Sequence, residues 1–225
     1  MSKRKLMLIG GGTLIALLGF GALFTFMLGS NGLVPAEQLR VAMGLLDKGR
    51  WDLAGHIAQN LEPQIDLETD SNWHYVQGVA KLQSVAEEVD SPRNRRVLLD
   101  ATEHLLKSEA LGFPIGYLGQ GQFYLGWCQF NTYHWDAAVE RLQQIDRLWP
   151  EKRSDALRME IESQLRKTPP DLAAAEQTLK RWQKIPGVSS AEQVRMDLAH
   201  AQLAFLRGEL AECEEILQKI PGKSF

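Results

Sequence analysis

Gly119-Gln-Gly-Gln-Phe-Tyr-Leu-Gly126-Trp-Cys-Gln-Phe-Asn-Thr-Tyr-His-Trp135-Asp-Ala-Ala138-Val-Glu-Arg-Leu142-Gln-Gln-Ile145-Asp-Arg-Leu-Trp-Pro150 decides the fold of this chain. Its apolar residues recur at three- and four-residue spacing, the period of a helix with one buried face. Gly126 and Ala138 are the small residues, and each is flanked by larger apolar neighbours. Two antiparallel helices can cross closely only where side chains are this small, so the stretch predicts a helical hairpin with Leu125-Gly126 in its first helix and Trp135-Asp136-Ala137-Ala138 opening its second.

The same opening appears earlier. Trp51-Asp52-Leu53-Ala54 repeats Trp135-Asp136-Ala137-Ala138, preceded by Gly49 and followed by Ile57, Ala58, Leu61 and Pro63. Weaker copies place Gly78 in a first helix with Ala101, Leu105 and Leu106 in a second, then Leu172, Ala175, Leu179 and Trp182, then Gly208 before Leu210, Cys213, Leu217 and Ile220. Aligned on Ala54, Ala101, Ala138, Ala175 and Cys213, the spacings are 47, 37, 37 and 38 residues. A fixed period of this size marks a repeat architecture, with one insertion expected as a charged loop at Glu87–Arg96.

A Leu-Gly pair, an aromatic-Asp-x-Ala opening, apolar residues four and seven positions later and a closing Pro together resemble the tetratricopeptide repeat. Gln122 and Gln129 depart from it, standing where that family usually carries large apolar groups. The resemblance covers about Pro35 to Pro221 and implies an all-α, right-handed solenoid of about five helical hairpins that binds peptides, helices or other repeats on its curved surface. On that alignment Leu39, Met43, Leu46, Tyr75, Val79, Leu82, Phe123, Trp127 and Phe130 are the expected partner-binding residues. Each trio follows i, i+4, i+7 spacing and so lies on one helical stripe. Packing against neighbouring helices is the competing role for the same stripe.

The first thirty residues are of a different kind. Lys3-Arg4-Lys5 precedes Leu6–Leu28, twenty-three residues without a charge, and Ser30-Asn31-Gly32 gives a polar exit. At the helical rise of about 1.5 Å per residue the run spans roughly 34 Å, enough for a hydrocarbon core. The run is longer than a secretory leader's apolar stretch, and Met27-Leu28-Gly29-Ser30 is bulky where a cleavage site prefers small residues. The expectation is a basic cytoplasmic tail at 1–5, a transmembrane helix at 6–28, a linker at 29–34 and a helical domain at 35–225. Basic residues before the span and none after it until Arg40 orient the N-terminus inward. The helical domain is therefore expected on the outer side, in a bacterium the periplasmic face of the inner membrane.

Hydrophobic residues make up 44% of the chain and charged residues 24%, values of a folded protein. Without Lys3, Arg4 and Lys5 the remainder holds 22 basic and 28 acidic residues, a net of −6. Such a body is a poor partner for nucleic acid, whose phosphates demand clustered cations. Cys128 and Cys213, two hairpins apart, are expected to stay unbridged. His56, His74, His104, His134 and His200 read as spread over separate hairpins, with no paired ligand motif. The carboxylates Glu87, Glu88 and Asp90, and Glu212, Glu214 and Glu215, read as solvated surface, and Gly116, Gly119 and Gly121 as the turn between the second and third hairpins. No nucleophile, base and orienter converge, so no catalysis, cofactor, metal or small-molecule substrate is expected. The reading is a membrane-tethered protein-interaction scaffold or assembly factor. The alternative is a structural subunit of a stable multi-protein membrane complex, suggested by the abrupt end at Phe225 without a polar capping helix.

Overall fold

The computed structural model describes residues 34–61, 67–85, 89 and 91–220. The predicted membrane span 6–28 and its basic tail lie outside them, as do Pro63, Glu87, Glu88, Asp90 and Pro221. No helix among the described residues is long and apolar enough to cross a membrane.

All regular structure among the described residues is helical. The helices come in successive hairpins: α1 (Pro35–Asp47) with α2 (Trp51–Gln59), then α3 (Leu67–Val85) with α4 (Pro92–Ala110). α5 (Leu118–Asn131) pairs with α6 (Trp135–Leu142), which continues as the single turn α7 (Ile145–Leu148). α8 (Arg153–Arg166) pairs with α9 (Leu172–Gln183), and α10 (Ser190–Arg207) with α11 (Leu210–Lys219). Both Trp-Asp-x-Ala segments open second helices, as the sequence repeat requires. Their preceding turns need a left-handed residue, supplied by Gly49 at φ 71° and, in the last hairpin, by Gly208 at φ 80°. Tyr133 occupies the equivalent place in the third hairpin at φ 68°, a conformation that costs a residue with a Cβ about 1 kcal/mol or more.

The crossings are as close as the small residues imply. Ala138 is fully buried, and a Cβ on Gly126 would stand 3.1 Å from Leu142 Cδ2 and 3.2 Å from Arg141 Cβ. Gly119 and Gly121 are not turn residues: both lie within α5, where a Cβ would run into the Leu148 carbonyl and the Phe113 ring respectively. Of these three glycines Gly116 alone, with φ 85°, belongs to the connector. The expected insertion does fall in the second hairpin, but Pro92–Arg96 is helix rather than loop. Ser91 caps α4 by accepting the Asn94 N–H at 3.1 Å, and Pro92 fills the first position, where its missing N–H costs nothing. Much of the extra length therefore becomes helix, α3 and α4 having 19 residues each.

Each hairpin packs on the next, α2 against α3, α4 against α5, α6 against α8 and α9 against α10. First helices also touch in succession, α1 with α3, α3 with α5, α5 with α8 and α8 with α10. Polar groups fix the register at these junctions. Arg141 Nη1 donates to Glu109 Oε1 at 2.5 Å, and the same carboxylate accepts from Gln122 Nε2 at 2.7 Å. Fully buried Glu160 accepts from Thr178 at 2.9 Å, from Arg181 at 3.2 and 3.3 Å and from Gln164 at 3.3 Å. Each donor offsets part of the cost of burying this carboxylate, so removing one would leave a buried polar group unpaired.

Candidate protein-binding surface

Seven of the nine residues expected to face a partner are buried. Leu39 and Met43 pack with Ala54, Ile57 and Val76; Tyr75, Val79 and Leu82 pack with Leu98, Leu105 and Leu125. Phe123 and Phe130 pack with Ala138, Leu142, Ala156 and Met159. Leu46 and Trp127 are half-buried, each between two of these clusters. The stripe thus joins hairpin to hairpin, the packing role, and its apolar character follows from that burial.

An open surface lies about one residue around the same helices. Ala36, Arg40, Met43 and Gly44 of α1, Glu68, Thr69 and Asn72 of α3, and Pro114, Ile115 and Tyr117 of the α4–α5 connector line a cleft of about 560 Å³. Ile115 is 92% exposed at its edge. The connector is shaped by Gly112 and Gly116, both at positive φ, and tied down by Tyr117, whose hydroxyl donates to Asp47 at 2.6 Å. Burial and the Asp47 carboxylate push the Tyr117 phenol up to about 12, so at neutral pH it remains a donor. Arg40 and Glu68 give the cleft one charge of each sign. Such a lining suits an extended segment that offers an apolar side chain and backbone polar groups. Of the nine expected residues, only Met43 lines it.

A second cleft, of about 690 Å³, lies at the hairpin turns between Tyr133, Trp135, Lys167, Pro169 and Pro170. The strained Tyr133 is held from both sides. The Arg95 guanidinium stands 4.5 Å from its ring centre and donates to its hydroxyl at 2.8 Å, while Trp135 lies 5.3 Å away. Arg166 covers Trp135 at 5.6 Å, and Lys167 pairs with Asp136 at 2.6 Å. The one signal for this site in the sequence is Tyr133 itself, standing where the first and fifth hairpins have glycine.

The histidines are not all separate. His74 of α3 and His104 of α4 share a hydrogen bond between their Nδ1 atoms at 2.9 Å, one donating and the other accepting. Trp73 lies edge-on to both rings, and Asp70 and Asp100 stand 3.8 Å from the two Nε2 atoms. Desolvation holds His104 down at about 4 and lowers His74, so near pH 7 the pair is neutral. Thirty residues of separation hid the contact in the sequence. Among the described residues no three His, Cys, Asp or Glu side chains converge as metal ligands. Glu212 and Glu215 are exposed, and both cysteines are free, Cys128 buried and Cys213 half-buried. No family model matches the chain, and no curated protein or solved structure is significantly similar to it.

Proposed function

We propose that this chain is a non-catalytic scaffold, tethered to a membrane by residues 6–28, that holds other proteins along the side formed by α1, α3, α5, α8 and α10. The observation that carries the reading is the succession of first-helix contacts, coupled with an open cleft on that side. First helices that touch while the second helices of neighbouring hairpins make no comparable contact bend the array toward the first helices. Those contacts support reading the array as a curved α-solenoid of tetratricopeptide type, whose extended inner surface would suit partner segments rather than small substrates. The Trp-Asp-x-Ala openings and the small residues at the hairpin crossings support the same assignment. The uncharged run at 6–28 and the basic residues before it support an anchor that leaves the helical domain on the outer, periplasmic side.

A permanent subunit of a membrane complex would use the same surface but never leave it empty. Alkaline carbonate extraction of native membranes, followed by mild detergent and sizing, tests both parts. The scaffold reading expects the chain to stay in the pellet and then to run partly free and partly in larger species. Release by carbonate would remove the tether, and a single large species at every expression level would favour the permanent subunit.

A further inference from the structure

The repeat makes the outer face of the last hairpin interpretable. Phe123, Gly126, Phe130 and Ala138 of the third hairpin stand 75 residues before Leu198, Ala201, Phe205 and Cys213 of the fifth. In the third hairpin Phe123 and Phe130 are 6% and 8% exposed; Leu198 and Phe205 are 38% and 60% exposed. The cover in the third hairpin is α8 with the residue before it. Ala156 and Met159 pack into the cluster that contains both phenylalanines. At either end a cation lies over a ring, Lys152 Nζ 5.7 Å from the centre of Phe123 and the Arg166 guanidinium 5.8 Å from that of Phe130.

Val194, Leu198 and Phe205 follow i, i+4, i+11 spacing along α10, with Val194 half-buried, Leu198 and Phe205 open, and Ala201 between them buried within the hairpin. Leu210, 61% exposed, opens the adjoining α11. The border leans acidic: Glu209, Glu212, Glu214 and Glu215 on α11 and its N-cap stand against Lys219, which pairs with Glu215, and Arg195 of α10, while His200 meets Glu212 and Arg207 is engaged by Glu176. An apolar face with an acidic border complements an apolar helix face with cations at its margins, the arrangement that α8 supplies two junctions earlier.

We infer that this face docks a basic amphipathic helix from another protein, with small or apolar residues at its centre and Lys or Arg toward both ends. A second copy of the chain fits less well, because its α1 offers Gln38 and Leu45 at the positions where α8 has Met159 and Arg166. The inference needs only the equivalence of the hairpins and is independent of the cleft at Arg40.

The test places the photo-crosslinker p-benzoylphenylalanine at Leu198 of the full chain in native membranes and sequences the adducts. The expected result is adducts in one segment of another protein whose apolar residues recur at helical spacing among Lys and Arg. The yield falls tenfold or more in Phe205→Lys and declines as salt is raised, while the unfolding temperature of Phe205→Lys is unchanged. Adducts only within this chain, in lipid or in acidic or unpatterned segments, no adducts, or a yield indifferent to Phe205→Lys would overturn it. Earlier unfolding of Phe205→Lys would show that the ring is packed within the chain and would overturn it equally.

Discussion

Replacing Ala138 by Leu probes the hairpin crossing on which the whole repeat depends. Ala138 is fully buried among Phe123, Phe130, Leu142 and Ile145. The facing helix is already so close at Gly126 that one added carbon would stand 3.1 Å from Leu142. Three extra carbons would offer about 2.4 kcal/mol of transfer free energy if space existed. With none, α5 and α6 must separate or take off-rotamer side chains, a net loss of roughly 1 to 3 kcal/mol. For a body of this size each kcal/mol lowers the unfolding temperature by about 2 to 4 °C, so the expected drop is roughly 2 to 12 °C. Gly119→Ala should lie at the severe end, because its Cβ meets the Leu148 carbonyl, part of the backbone, rather than a side chain that can turn away. Ala36→Leu, at an exposed position in the first turn of α1, should change stability by less than about 0.5 kcal/mol. The assay is thermal unfolding of the full chain in detergent, followed by circular dichroism. Equal shifts for Ala138→Leu and Ala36→Leu would refute the crossing.

Three further outcomes follow from the polar interior and the thiols. His104, held at about 4, binds its proton more weakly folded than unfolded, so the stability it supports is complete above the unfolded value near 6.5 and declines as pH falls toward 4. His74 shifts the same way. Asp70, Asp100 and Glu103 oppose the decline while Lys81 and Lys107 add to it, and urea midpoints should show about 2 kcal/mol lost between pH 7 and 5, largely abolished in His104→Gln. Glu160→Ala strands Arg181 and Thr178 and should cost roughly 3 to 5 kcal/mol in the same assay, whereas a loss below about 1 kcal/mol would mean water replaces the carboxylate. A thiol reagent should modify Cys213 alone in the native chain and both cysteines in denaturant, because Cys128 is buried and its thiol is pushed up to about 12.

The hairpins were legible because close crossing leaves a mark that few other demands produce. Ala101, Ala138 and Ala175 stand 37 residues apart, Ala54 precedes them across the one insertion, and all four are buried. Ser91-Pro92 was equally informative as a helix start, yet the density of charge around it suggested a loop. The side of the helix that stays open was harder to read. Apolar residues such as Leu39, Tyr75 and Phe123 serve the next helix and a partner equally well, and only the position of that next helix decides between them. The open stripe at Ala36, Arg40 and Gly44 has no sustained hydrophobic pattern, and six of the ten residues lining its cleft come from α3 and from the distant α4–α5 connector. His74 and His104 likewise meet only through the packing of two long helices.

Position-resolved photo-crosslinking in native membranes tests the proposed scaffold most directly. A crosslinker placed in turn at Arg40, Ile115 and Asn72 lines one cleft, and one at Gln59 or Lys184 sits at the exposed C-terminal end of a second helix, Lys184 being the residue that caps α9. The account predicts that the three cleft positions capture the same partner protein at neighbouring residues, while Gln59 and Lys184 give at least tenfold less of it. Equal capture from both sets, or capture from Gln59 and Lys184 alone, would contradict an inner binding face.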